Sequence, residues 1–152
     1  MINKQGLNLK ILFDSSVLIA AFVESHPKHK NALLFLTKAN NREFELLVSS
    51  HTILEVYSVL TSAPFKPKIT PAIATQLIES NIKTIAKTVT LIEEDYFNIV
   101  EKMSGANLSG GIIYDAIITE CALKTKADEI LTLNPKDFLR LTEGTSVKVS
   151  SL

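Results

Sequence analysis

The chain has no tryptophan, one cysteine, five glycines and five prolines in 152 residues, and its sixteen basic and sixteen acidic side chains cancel. Each scarcity excludes something. A lone Cys121 cannot close an intrachain disulfide, and its setting in DAIITECAL predicts a buried thiol, in keeping with a cytoplasmic protein. The few glycines build no phosphate-cradling loop, and the chain shows no repeat or long linker. Zero net charge argues against broad electrostatic binding to duplex nucleic acid, while leaving room for a local basic rim. No uncharged apolar run approaches the eighteen or so residues of a membrane span. The opening MINKQGLNLK leads straight into a strand-like segment rather than a signal-peptide core, so a soluble protein with no membrane association is expected.

What is present is a large supply of core. Hydrophobic residues make up 46% of the chain, enough for a single domain over residues 1–152 without a disulfide or structural metal. Leu9 to Phe13 reads as a central strand covered on both faces, followed by a helix through VLIAAFVE capped by Ser15 or Ser16. His26-Pro27 breaks the chain before a second helix, roughly Lys28 to Ala39, packed through Ala32, Leu33, Phe35, Leu36 and Ala39. The short strand LLVS then feeds a helix through HTILEVYSVLTS, capped by Ser49 or Ser50. Thr70-Pro71 opens another helix over residues 72–81. KTVTL suggests a short strand, Glu93 to Met103 a helix, and NLSGG a connector into the helix IIYDAIITECALKT. The segment ADEILTL reads as a helix end followed by a strand stopped at Asn134-Pro135. A short helix, Pro135 to Leu141, and an edge strand, Val147 to Val149, complete the order. Parallel strands need helical crossovers, so the alternation predicts a three-layer α/β/α sandwich around a mostly parallel sheet.

Four acidic or amide side chains interrupt these apolar segments: Asp14 after LKILF, Glu55 in HTILEVY, Asp115 in GIIYDAII and Asn134 in ILTLNP. An isolated carboxylate among Ile, Leu and Val is costly to desolvate, which suggests a shared polar site. In an open parallel sheet, ligands bind at the carboxyl ends of the strands, where Asp14 and Asn134 fall. Glu55 and Asp115 start helices that can point to the same edge. Asp137, three residues beyond Asn134, can supply a further carboxylate, and Thr132 and Ser16 can steady the site. Oxygen donors suit Mg²⁺ or Mn²⁺, and a cation so held can activate water and stabilise charge on a phosphodiester. The ordinary alternatives are helix capping for Asp14, dipole stabilisation for Asp115, an exposed surface glutamate for Glu55 and a turn for Asn134. His29 is assigned to packing and His51 to helix-start hydrogen bonding; with His26 they show no zinc-ligand spacing.

The segments ILFDSSVLIAAF, HTILEVYSVL and YDAIITECALKTKADEILTLNPKDF resemble those of a PIN domain, particularly the ribonuclease toxins of toxin–antitoxin pairs. The resemblance runs over about residues 9–149. It implies that Asp14, Glu55 and Asp115 are metal ligands, with Asn134 standing where the family commonly has another acid. It further implies a metal-dependent endoribonuclease acting on single-stranded or loop RNA, a homodimer and an inhibiting antitoxin. Lys28, Lys30, Lys66, Lys68, Lys136 and Arg140 are the candidate phosphate contacts around the cleft rims, and apolar surfaces near residues 53–60 or 72–78 the candidate interfaces. A catalytically weak PIN-like RNA-binding or regulatory module is the main alternative. A phospho-receiver or a haloacid-dehalogenase-like phosphatase fits less well, because Asp14 lacks a neighbouring second acid.

Overall fold

Ile11, Leu12 and Phe13 are all buried although successive side chains of a strand point to opposite sides, so β1 (Lys10–Phe13) is covered on both faces. The computed structural model describes residues 9–152; the opening segment considered above for a signal sequence falls largely in residues 1–8, outside the described residues. From β1 the chain runs through α1 (Ser15–Phe22), α2 (His29–Asn40), β2 (Glu45–Ser49), α3 (Ser50–Ser62) and α4 (Pro71–Ile78), which continues as a π-helical turn over Glu79–Lys83. Then come β3 (Lys87–Val89), α5 (Glu93–Gly105), α6 (Ile112–Thr125), β4 (Glu129–Thr132), α7 (Pro135–Leu141) and β5 (Lys148–Ser151).

The strands form one sheet in the order β3-β2-β1-β4-β5, and every pairing is parallel. Ile11 lies opposite Leu46 on one side of β1 and Glu129 on the other. Side-chain alternation sends the strands' apolar residues into two cores. Ile11, Phe13, Leu46, Val48 and Leu131 meet Val17 and Leu18 of α1, Ala32 and Leu36 of α2 and Val56 and Leu60 of α3 on one face. Leu12, Leu47 and Ile130 meet Ile99 and Met103 of α5, Ile118 of α6 and Phe138 of α7 on the other. This is the expected α/β/α sandwich.

Local details depart from the sequence reading for identifiable reasons. The cap of α1 is Asp14 itself; Ser15 and Ser16 fall inside the first turn. Ser49 caps α3 through the His51 N–H, and Thr70 caps α4 ahead of Pro71. In α2 the buried stripe is Ala32, Leu36 and Ala39, while Leu33 is exposed because it lies about 100° round the helix from Ala32. α6 ends at Thr125 and is capped by Lys126 in the left-handed conformation, so Ala127 and Asp128 lie outside the helix that ADEIL was expected to end. β3 and β5 are short edge strands that begin with the exposed Lys87 and Lys148. Lys102 to Glu120 at 2.9 Å and Lys124 to Asp95 at 2.6 Å tie α5 to α6. Cys121 is buried at the α6–sheet junction, and burial pushes its thiol pKa up. Among the described residues, no helix is long and apolar enough to cross a membrane.

Leu12 is fully buried in the second core, and nothing polar depends on it. Leu12→Ala is expected to cost about 2–5 kcal/mol of unfolding free energy in a urea titration, with little change in the denaturant slope.

Candidate functional site

The strand order reverses between β1 and β4: from β1 the next strands extend to one side, and β4 and β5 lie on the other. Such a switch point opens a crevice at the strands' carboxyl ends. Asp14 stands there, 5% exposed, and an anion so far removed from water requires hydrogen bonds. It has them. The Ser15 N–H donates to Asp14 Oδ1 at 2.8 Å, and the hydroxyls of Ser16 and Thr132 each donate to Oδ2 at 2.8 Å. The donors are themselves fixed, since the Leu133 N–H donates to Ser16 Oγ and the Asn134 N–H to Thr132 Oγ1, both at 3.0 Å. Asp14 N–H donates to the Leu131 carbonyl at 2.9 Å, continuing the β1–β4 ladder into the site.

Glu55 joins Asp14 through one side chain: Ser15 Oγ donates to Glu55 Oε1 at 2.9 Å and lies 3.4 Å from Asp14 Oδ1. Asp115, at the first turn of α6, is partly buried, and its pKa is pushed up to about 6. Desolvation is the main cause, followed by the negative charges of Asp14, Asp137 and Glu55. Four carboxylates thus share one electrostatic neighbourhood. Among the described residues, no Lys or Arg forms an ion pair with any of them; the only partner is His51, whose Nε2 lies 3.9 Å from Glu55 Oε2.

Asn134 is placed differently from the acids. Its side chain is exposed and makes no cap bond to α7, which it precedes, so its fixed contact is the backbone bond to Thr132. Asp137, one turn into α7, is the α7 residue whose charge reaches Asp115. The candidate basic rim divides. Lys66 and Lys68 line a cavity of about 410 Å³ with Phe22 to Ser25, at the far end of α1 from Asp14, so they lie away from the acids. Arg140 lines a recess with Asp137 and Gly111 beside them. His29 Nδ1 lies 3.0 Å from the Ala20 carbonyl and ties α2 to α1; His51 makes the helix-start bond through its N–H, which donates to Ser49 Oγ, while its ring stacks on Tyr114. The Ser15 bridge escaped the sequence reading, although a hydroxyl directly after a strand-terminal aspartate was a signal for it.

The donor set is all oxygen, as a hard divalent cation requires, and among the described residues no Lys or Arg pairs with its negative charge. Among the described residues, no three His, Cys, Asp or Glu side chains are gathered closely enough to ligate one ion together. Mg²⁺ keeps several waters and takes only one or two carboxylates directly, so the oxygen chemistry of the set suits it without three side chains closing on one ion.

Residues 11–144, a span that includes all five candidate residues, match the PIN domain. The chain belongs to the PIN-domain family. Within it, the Mycobacterium tuberculosis ribonuclease VapC40 is 31% identical over 105 residues, covering 69% of this chain and 72% of its own length. The structure of M. tuberculosis VapC20, a sarcin-ricin loop cleaving toxin, matches with a TM-score of 0.68 at 12% identity, over 86% of this chain and 94% of that one. VapBC2 from Rickettsia felis, solved bound to a DNA fragment from its promoter, matches with a TM-score of 0.64 at 15% identity, over 95% of this chain and 99% of that one. At such identities these structures establish that the PIN fold is shared.

The raised pKa of Asp115 has a stability consequence. The folded state binds this proton more tightly than the unfolded chain, so in metal-free protein the group's contribution is most favourable below about pH 4 and is lost as pH rises through about 6. Asp115→Asn is therefore expected to make metal-free protein more stable than wild type at pH 8, by about 1 kcal/mol after solvent screening. The difference shrinks towards pH 4, as paired thermal melts at the two pH values will show.

Proposed function

We propose that the protein is a divalent-metal-dependent endoribonuclease that hydrolyses phosphodiester bonds in single-stranded or loop RNA, and that it acts as the toxin of a toxin–antitoxin pair. The observation that carries this reading is the convergence of Asp14, Glu55, Asp115 and Asp137, felt at Asp115, with no Lys or Arg ion-paired to them among the described residues. Kinship with ribonuclease VapC40 supports the choice of RNA.

In this reading Asp14, Glu55 and Asp115 would hold Mg²⁺ or Mn²⁺, with Asn134 and Asp137 at the α7 side of the site. A cation held there would supply Lewis acidity towards the phosphodiester and lower the pKa of water, so that hydroxide is available as the nucleophile near neutral pH. The chain's own part is orientation. Ser16 and Thr132 hold Asp14 Oδ2, and Ser15 holds Glu55 Oε1, so both carboxylates are set before a cation or substrate arrives. Asn134 is neutral where the family commonly has an acid, which favours one cation over two, with Asp137 as the nearby charge. Arg140, which lines a recess with Asp137, is the α7 side chain proposed to meet RNA phosphate beside the acids, and the exposed Lys136 on the same helix is a second candidate. The exposed Leu54 and Tyr57 on α3 and Ile73 on α4 are the apolar surfaces offered to a second copy or to an antitoxin.

The separation of the acids beyond direct common ligation favours one other reading, a PIN-like module that binds RNA without cutting it. Purified protein incubated with diverse RNAs in Mn²⁺ distinguishes the two, since the module would retain RNA and release no new ends. For the nuclease, Asp14→Asn and Asp115→Asn should each lower Mn²⁺-dependent cleavage on the order of a hundredfold or more. Asparagine keeps the cap bond on Oδ1 but puts an NH₂ where Oδ2 accepts from Ser16 and Thr132, so Asp14→Asn should keep the helical circular dichroism signal with a lower melting temperature, and cleavage is compared below that temperature. Equal cleavage by wild type and both variants rejects the assignment.

A further inference from the structure

The acidic crevice has an aromatic wall that hydrolysis alone does not use. His51 stands one helical turn before Glu55 on α3, and Tyr114 directly precedes Asp115 on α6. Their rings are stacked, with centroids 5.7 Å apart and planes 7° from parallel. α3 packs on one face of the sheet and α6 on the other, so the ring pair reaches across the sheet's carboxyl edge beside the two acids it flanks. Core packing does not account for it: Tyr114 is 56% exposed although one ring face is against the imidazole, so its remaining surface stands in solvent. Glu55 Oε2, one turn on along α3, lies 3.9 Å from the imidazole Nε2.

An exposed tyrosine with a fixed ring plane is a ready surface for a planar, unpaired nucleobase, because every base offers a π face whatever its sequence. Cationic side chains for the phosphate backbone, Lys136 and Arg140, belong to α7, whose Asp137 faces the acids from the β4 side. Base and phosphate contacts therefore fall to different elements around the same carboxylates. Resting on the RNA-cleavage reading above, we propose that Tyr114, backed by His51, is a stacking platform for one unpaired base adjacent to the scissile phosphate. Bases in a duplex are already stacked and paired, so the platform confers preference for single-stranded segments.

The test begins with cellular RNA incubated with the Mn²⁺-loaded full chain to map a cut. A synthetic single-stranded oligonucleotide carrying that cut is then made with an abasic nucleotide at each position in turn. Tyr114→Ala should raise KM roughly five- to 150-fold, the range expected for one base–aromatic stack, with kcat changed only a few-fold. Tyr114→Phe should restore KM, and His51→Ala, which unsupports the ring, should fall between. In wild type one abasic position near the cut should reproduce the loss, and the same position should add no further loss in Tyr114→Ala. If the Tyr114→Ala defect lies in kcat and melting temperature, or if every abasic penalty is the same in wild type and variant, the platform is overturned while the nuclease reading stands. If wild type cuts no RNA, the nuclease reading falls first and the platform with it.

Discussion

A carboxylate taken out of water at the end of a buried strand has to be held, and how Asp14 is held organises the whole carboxyl edge of the sheet. Its two oxygens take hydrogen bonds from α1 and from the end of β4, so two elements close on an anion carried at the end of β1. Charge-assisted bonds of this kind are shorter and stronger than neutral ones, and they leave Asp14 little rotational freedom. Glu55 inherits that order through Ser15. Asp115 does not: packing of α6 takes it partly out of water and brings it near the other acids, and desolvation first and their negative charge second push its pKa up. The edge thus joins a stabilising half, built around Asp14, to a destabilised half around Asp115.

That division depends on both cores. Glu55 is carried by a helix whose Val56 and Leu60 pack on one face of the sheet, and Asp115 by a helix whose Ile118 and Ala122 pack on the other. Neither helix need contact the other along its length for the two acids to meet, because each is set by the strands beneath it. The alternation of Ile11, Leu12 and Phe13 between faces is therefore as much a determinant of site geometry as any polar contact. Loss of packing on either face moves one carboxylate relative to the rest.

Much of this was legible in the residues. Continuous apolar runs followed by a polar stop gave the parallel strands, and three-to-four-residue spacing gave the helices between them. Asp14 was readable because an aspartate directly after LKILF has no unburied place to go. Less legible was whatever depended on rotation about a helix or on meetings across the chain: Leu33 faces solvent, Lys66 and Lys68 gather at the wrong end of α1, and His51 meets a tyrosine sixty-three positions away in the sequence. Asn134 and Asp137 show the same limit, since only the start of α7 decides which of them turns its charge or amide towards Asp115.

The outermost strands carry a different lesson. β3 has three residues and β5 four, and each starts with an exposed lysine. Open strand edges invite a neighbouring chain to zip on by main-chain hydrogen bonds, and brevity and charge are the usual defences against that. Here a visiting strand would find only a few ladder positions before the chain turns away. Short strands and edge lysines thus make both described sheet edges poor templates for main-chain pairing.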